Sequence, residues 1–390
     1  MKSLIIIFSI FYALTGLAEK ASVDQLKNHL TYLTSRSLFG RTPGTPGHKL
    51  ARDYITTQLK TIGMSDIHIN QDRPRLYIPG RGRNWPDVYN IVAKYEGVGD
   101  HKSCIVYSAH YDHGDRKKKN FKPGAGDNGS GVVALLELAR LLVKNAPALS
   151  ADIYLTFPDQ EENYIAGSPK LVKHLLKRCP KILFNVNLDL VGGKFFKGFE
   201  NHILELTGGV SEDFSELIKT ADKSGIQIIS NAVYPIEPLG KTIPRSDYSS
   251  FRAKGIPFIF YTSGTPWYYH TTHDTIDKIN FPFLANVVNR LYSLVDTYQI
   301  SERGGADFSF NKNQKIEIDR DGLNFAGILK KYIAFKKENF ITDKEASEFQ
   351  SLIDNLENPK VKTRKRDIHK AVLKLIKSIG SKYGDYTKKP

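Results

Sequence analysis

The run Lys102-Ser-Cys-Ile-Val-Tyr-Ser108 passes into Ala109-His-Tyr-Asp112 and, across a Gly-rich loop, into the helix-like stretch Gly131–Val143. A short apolar run, a polar turn and a segment with helical apolar spacing make one strand–loop–helix unit. Outward from it, strand-like runs recur at Val88–Tyr95, Asp152–Phe157, Leu183–Leu190, His202–Thr207 and Ile256–Tyr261. Helix-like stretches fall at Val23–Thr34, Pro46–Ile62, Lys170–Leu176, Glu212–Lys223 and Phe281–Tyr298. This alternation predicts an α/β fold of three layers, α/β/α, in which a central, mostly parallel mixed sheet is covered by helices on both faces. Beyond about Gly304 the sequence turns polar and Lys-rich, with helical spacing at Leu323–Phe335, Ala346–Leu356 and Ile368–Ile379. Residues 305–390 are therefore expected to form a small basic helical extension to a main domain over 19–304.

A chain of 390 residues, 41% hydrophobic and 25% charged, has the composition of a globular protein with one large core. Met1–Ala18 has the form of a signal peptide: Lys2, the apolar Leu4–Leu14, then Gly16-Leu17-Ala18 as a small-residue cleavage pattern. About eleven apolar residues are too few to span a bilayer, which takes about 20. A secreted or periplasmic location follows, with no integral membrane segment after signal removal. Two cysteines occur, Cys104 and Cys179. An oxidising compartment would permit them to pair, but Cys104 sits in a strand-like run where a small buried hydrophobe accounts for it. The formal charge of +15 comes without a recognisable nucleic-acid module, so no nucleic-acid partner is expected. Weak attraction to an anionic cell surface is the partner-related reading of that charge. Between Ala306 and Pro390, 19 Lys/Arg stand against 12 Asp/Glu, so the extension carries +7 of it.

In open α/β sheets functional residues gather beyond the C-terminal ends of the strands. His110 and Asp112 follow the strand ending at Ala109, Glu161-Glu162 the one ending at Phe157, and Asp189 the one around Val186. A Gly/Pro loop leads from Tyr261 to His270, and Asp127 opens a helix. Taken singly, Asp127 also fits a helix cap, Glu161-Glu162 a surface turn and Asp189 a carboxylate satisfied by the backbone. Their joint placement at successive strand ends favours a site. Two His and three carboxylates suit a pair of zinc ions better than a calcium or thiolate centre.

These segments, in this order, resemble the zinc aminopeptidase family that includes secreted bacterial leucyl aminopeptidases and, more distantly, glutamate carboxypeptidase II. The stretches concerned are Ser108-Ala-His-Tyr-Asp112, Pro123-Gly-Ala-Gly-Asp-Asn-Gly-Ser-Gly131, Glu161-Glu162 with Gly167-Ser168, Asn187-Leu-Asp-Leu-Val-Gly192, Arg245-Ser-Asp-Tyr248 and Tyr269-His-Thr-Thr-His-Asp-Thr275. The resemblance implies two Zn2+, with Asp127 bridging, His110 and Asp189 completing one site, and Glu162 and His270 the other. It further implies Glu161 as general base, Tyr269 as oxyanion stabiliser, Arg245 near the substrate, and a cis peptide at Asp127–Asn128. Asp112 is placed to accept the ring N–H of His110 and fix its metal-binding tautomer. The chain departs from the family in the basic insertion Arg116-Lys-Lys-Lys119, read as solvated charge, and in His273, read as structural rather than a sixth ligand.

The implied function is an exported exopeptidase acting at the N-terminal bond of peptides. A carboxypeptidase or dipeptidase on the same two zincs is the alternative, and a single-zinc glutaminyl cyclase of related fold a more distant one. The sequence leaves the side-chain preference open, because no motif marks a specificity pocket.

Overall fold

The computed structural model describes residues 18–73, 86–114, 121–193, 201–232, 246–264, 266, 268–303, 305–311, 326–327, 330, 333 and 342–358. The expected leader, the basic insertion, Arg245 and the stretch Ile368–Ile379 lie outside these residues. Eight strands form one mixed sheet: β1 Ser65–Asp72, β2 Val88–Tyr95, β3 Ser103–Ser108, β4 Asp152–Phe157, β5 Lys181–Leu188, β6 His202–Gly208, β7 Gln227–Ala232 and β8 Phe258–Thr262, in the order β1-β2-β4-β3-β5-β8-β6-β7. The central run β4-β3-β5-β8 is parallel throughout.

Helices α1 Val23–Leu33, α2 Pro46–Ile62, α3 Ser130–Asn145, α4 Ser168–Arg178, α5 Glu212–Thr220, α6 Tyr248–Arg252 and α7 Phe281–Arg303 cover the sheet. The period-2 alternation of the strands divides them between two layers. Ile91, Ile105, Tyr107, Ile153 and Leu155 face one core with residues of α1, α2, α3 and α7. Val92, Cys104, Val106 and Tyr154 face the other with α4 and Phe251 of α6. Both faces being buried explains why the central strands read as unbroken apolar runs. Local signals hold at the helix ends: Thr45 caps α2 through its side chain ahead of Pro46, and Gly63, at φ 101°, ends it in the left-handed region.

The three-layer expectation holds, and the spacing missed the two edge strands. In β1 the apolar positions are reduced to Ile67 and Ile69 between polar residues, because an edge strand buries little. Among the described residues beyond α7, the Ser309 N–H donates to the Asp307 carboxylate, and the Asn311 N–H to the carbonyl of Gly209. Phe308 is buried against Phe184, Phe214 and Tyr298. The first residues after Gly304 are thus packed on the main domain. One helix of the extension, α8 Asp343–Glu357, falls where the spacing of Ala346–Leu356 predicts it.

The cysteines depart from expectation. Cys104 and Cys179 form a disulfide, with Cα atoms 6.2 Å apart, inside the apolar cluster over α4. Cys179 ends α4 just before β5, and β5 pairs with β3 so that Ile182 lies opposite Cys104. The α4–β5 turn therefore delivers Cys179 to the start of β3, a tertiary proximity that a separation of 75 residues conceals in the sequence. Closing so long a loop removes denatured-state entropy, so the double variant Cys104→Ala/Cys179→Ala is expected to lose about 2–4 kcal/mol. Denaturant melts of the two proteins, with and without reductant, measure this; equal midpoints would mean that the bridge contributes nothing.

Candidate metal centre

Because β4, β3, β5 and β8 are parallel neighbours, their C-terminal ends lie side by side. Ser108 pairs with both Thr156 and Asn187, and Leu188 with Tyr261. Main-chain bonds carry the alignment beyond the strands, from Ala109 to Thr156, Tyr111 to Pro158, Asp189 to Tyr261 and Ser263 to Leu190. The loops that follow bring His110, Asp112, Glu161, Glu162, Asp189 and His270 together around Asp127, at the entry to α3.

Asp127 is buried and its two oxygens face different partners. Oδ1 lies 3.5 Å from His110 Nε2, which is also 3.5 Å from Asp189 Oδ1. Oδ2 lies 3.0 Å from His270 Nε2, itself 3.1 Å from Glu162 Oε2. Two triads thus share one carboxylate. His110 Nε2 and Asp189 Oδ1 are buried without a hydrogen-bond partner among the described residues. Orphaned buried polar atoms are rare in folded proteins, and a cation held by His110, Asp127 and Asp189 would satisfy these. The donor set, imidazole nitrogen and carboxylate oxygen, is that of zinc.

The tautomer of His110 is fixed locally. Its Nδ1 bonds the main-chain carbonyl of Asp112 at 3.1 Å, and not the Asp112 carboxylate expected as its acceptor, which lies 3.6 Å away. A proton on Nδ1 leaves the Nε2 lone pair for the triad. The carboxylate of Asp112 has a further task that spacing did not suggest: it accepts the backbone N–H groups of Glu161 and Glu162 at 3.0 and 3.3 Å. Below Asp189 runs a buried chain in which Ser108 donates to Asn187, Asn187 to Ser246, and Ser246 to Asp189 Oδ2 at 2.9 Å.

Electrostatics follow the crowding of carboxylates. Burial pushes Asp127 up to about 6, helped by the charge on Glu162. Burial likewise pushes Glu161 well above the carboxylate range, with Asp189, Asp247 and Glu162 adding to it. Burial acts on Glu162 in the same sense but is outweighed by His113 and His270, which hold it well below its usual value. Asp247, buried next to Ser246, is pushed up to about 7 by burial. His110 and His270 are each lowered by burial and raised more by the acids around them; His270 ends at about 10.

The loop carrying Asp127 is clamped from both sides. Arg41 is fully buried, and its guanidinium N–H groups donate to the carbonyls of Leu33, Tyr111, Pro123, Gly124 and Asp127. Asp274 accepts the N–H groups of Gly126 and Asp127 at 2.7 and 3.0 Å. The Asp127–Asn128 peptide is cis. Gly131 must be glycine, since a Cβ would sit 2.3 Å from Asn128 Oδ1, which bonds the Gly131 N–H.

Every sequence-predicted residue within the described part is at this place. Tyr269 stacks on His270 with ring centroids 3.8 Å apart and is 36% exposed, at the rim. His273 is exposed, and its neighbour Asp274 is the one that turns inward. Spacing missed Arg41, which looked like part of a Gly/Pro turn, and His113. Buried one residue after Asp112, His113 places Nδ1 2.7 Å from Glu162 Oε1 and 3.6 Å from Asp127 Oδ2. Its adjacency to His110 and Asp112 was the available signal. With Asp127 and Glu162 it forms a second cluster able to hold a metal, beside that of His110, Asp127 and Asp189.

The profile of peptidase family M28 matches residues 90–295, just over half of the chain. Over 188 residues the chain is 31% identical to aminopeptidase YwaD of Bacillus subtilis strain 168, a match covering 46% of this chain and 38% of that protein. Protein YfbL of Escherichia coli K12 is 25% identical over 305 residues, 73% of this chain and 90% of the other. The match spans about two fifths of the length of the first curated relatives. Among solved structures, the LapA aminopeptidase of Legionella pneumophila superposes with a TM-score of 0.57 at 20% identity over 72% of each chain. A glutaminyl cyclase of Bacteroides thetaiotaomicron gives 0.56 at 21% identity over 72% of this chain and 99% of that one, and both likenesses concern the fold. The matched profile spans β3, β4, β5 and β8 and the loops that bring the triads together around Asp127, and the chain belongs to peptidase family M28.

Proposed function

We propose that this chain is an exported two-zinc exopeptidase, a metallo-aminopeptidase that hydrolyses the N-terminal bond of peptides. The observation that carries the reading is the division of the Asp127 oxygens between His110 with Asp189 and Glu162 with His270. Membership of the M28 family and the aminopeptidase name of the B. subtilis relative support the reaction and its direction. The buried disulfide and the leader-like Met1–Ala18 support export. The basic surface would add weak attraction to an anionic cell envelope.

When bound, the zinc pair supplies Lewis acidity toward a water and the scissile carbonyl. Glu161, 4.0 Å from His110 Nε2, takes the water's proton and passes it to the leaving amine. Tyr269, fixed by its stack on His270, donates its hydroxyl to the developing oxyanion. Asp112 keeps Glu161 and Glu162 facing different groups by binding both of their N–H groups. Arg245 is assigned to the substrate on the resemblance alone.

Glu161→Gln is expected to retain zinc while turnover falls by about 10²–10⁴-fold, whereas Glu162→Gln should lose zinc itself. Metal analysis and hydrolysis of Leu-p-nitroanilide measure the pair, and near-normal turnover in Glu161→Gln would remove the proposed base. Trimming of N-acetylated peptides from the C-terminus would move the function to the carboxypeptidase branch. Release of ammonia from N-terminal glutamine would move it to the cyclase.

In the metal-free protein burial lowers the pKa of both His110 and His270. Asp189 and Glu161 more than reverse this for His110, and Asp127 and Glu162 do so for His270. Both rings are therefore protonated at neutral pH, and zinc, which takes the neutral imidazole, must expel those protons. Zinc affinity should fall with falling pH. Titration calorimetry at pH 7 in buffers of different ionisation enthalpy should report a net release of protons on zinc binding; a heat independent of buffer would contradict this.

We further propose that the extension is not needed for the chemistry. Because Phe308 belongs to the core, the informative truncation ends at Asn311 rather than at Gly304. That protein should keep its zinc and stay within several-fold of full turnover, and a folded, zinc-loaded but inactive truncation would assign the extension a part in the site.

A further inference from the structure

We propose that His113 is a positioning residue for the second metal site, and that its Nδ1–H holds one oxygen of Glu162 so that the other is left for the cation. This rests on Glu162 being a zinc ligand, as read above. The two oxygens of Glu162 have different surroundings. Oε1 lies 2.7 Å from His113 Nδ1, while Oε2 lies 3.1 Å from His270 Nε2, the nitrogen that also faces Asp127 Oδ2 at 3.0 Å. The metal-facing triangle is therefore Asp127 Oδ2, Glu162 Oε2 and His270 Nε2. His113 stands behind it, on the far oxygen.

A direct ligand role for His113 is the competing assignment, and the unused ring nitrogen decides against it. His113 Nε2 is buried and has no hydrogen-bond partner among the described residues. If Nδ1 bound a cation, the ring proton would sit on Nε2 as an orphaned buried N–H, which folded proteins rarely tolerate. With the proton on Nδ1 and donated to Glu162, the orphan is only a lone pair, which is less costly. A charge-assisted hydrogen bond of this length is also among the stronger ones available to an imidazole.

The ring has no freedom to change roles. A Cβ on Gly124 would lie 2.5 Å from the His113 ring, so the ring is packed directly against that glycine. The Gly124 carbonyl is in turn tied to Arg41 at 2.9 Å. Asp112 and His113, adjacent in sequence, thus hold Glu162 at two points: Asp112 accepts its backbone N–H, and His113 donates to its side chain. Fixing a ligating carboxylate by one oxygen keeps it from chelating with both, and so sets how tightly and in what geometry it binds.

The test compares His113→Phe, which keeps a ring but removes the donor, with His113→Asn, whose amide N–H sits near the place of Nδ1–H. Metal-free full-length proteins are titrated with zinc against a chromophoric chelator to resolve the first and second equivalents. His113→Phe should weaken the second equivalent by about 10–100-fold with the first little changed, and His113→Asn should return it to within several-fold of the parent. If His113→Phe does not fold, His113→Leu serves the same comparison. Parent-like affinity in His113→Phe would overturn the proposal, and so would a His113→Asn as weak as His113→Phe, since an amide can replace a donor but not a ligating imidazole. A parent protein that takes up no second zinc would instead overturn the two-metal reading.

Discussion

The arrangement depends on one constraint: carboxylates are packed around Asp127 so closely that protons or cations must relieve their mutual repulsion. Glu162 and Asp189 act on it directly, Asp274 binds its N–H, and Asp189, Asp247 and Glu162 crowd Glu161 in turn. Two like charges at 4 Å cost about 4 kcal/mol at an effective dielectric of 20. In the metal-free protein protons relieve this, which is why Asp127 and Glu161 are pushed up and His110 and His270 are held charged. The proposed pair of divalent cations would relieve it more fully and would reverse the protonation of the groups that hold it. Buried Arg41 is nearby, but its N–H groups go to main-chain carbonyls rather than to the acids.

The rest of the fold serves to hold the central carboxylate in place. Four parallel strands end together, so residues far apart in sequence meet without long loops. The Asp127 loop is buried, and a buried loop must satisfy its own backbone groups. Arg41 takes its carbonyls on one side, and Asp274 takes its N–H groups on the other. Neither residue needs to touch substrate for the position of the Asp127 side chain to depend on it. The chain Ser108–Asn187–Ser246 does the same for Asp189, and Asp112 with His113 for Glu162.

The layers and the place of the site were legible because the central strands are buried on both faces and read as plain apolar runs. The polar residues at their C-terminal ends then stood out, and the strand order made them neighbours. What spacing could not reach was long-range partnership. Cys104 and Cys179 meet only because α4 and β5 turn back beside β3. Arg41 lies in a Gly/Pro segment whose composition signals a turn, and nothing local shows that its side chain reaches carbonyls more than 80 residues away. His113 was adjacent to two recognised residues, yet its role depends on the direction of a ring, which sequence does not encode. The edge strand β1 was lost for the opposite reason, since it buries too little to leave a pattern.

The most direct test of the central claim is the anomalous scattering of zinc-loaded crystals, collected on both sides of the zinc absorption edge. The account predicts two peaks about 3.5–4 Å apart, with Asp127 between them, His110 and Asp189 on one and Glu162 and His270 on the other. A single peak at full occupancy, with either triad left without metal, would contradict it.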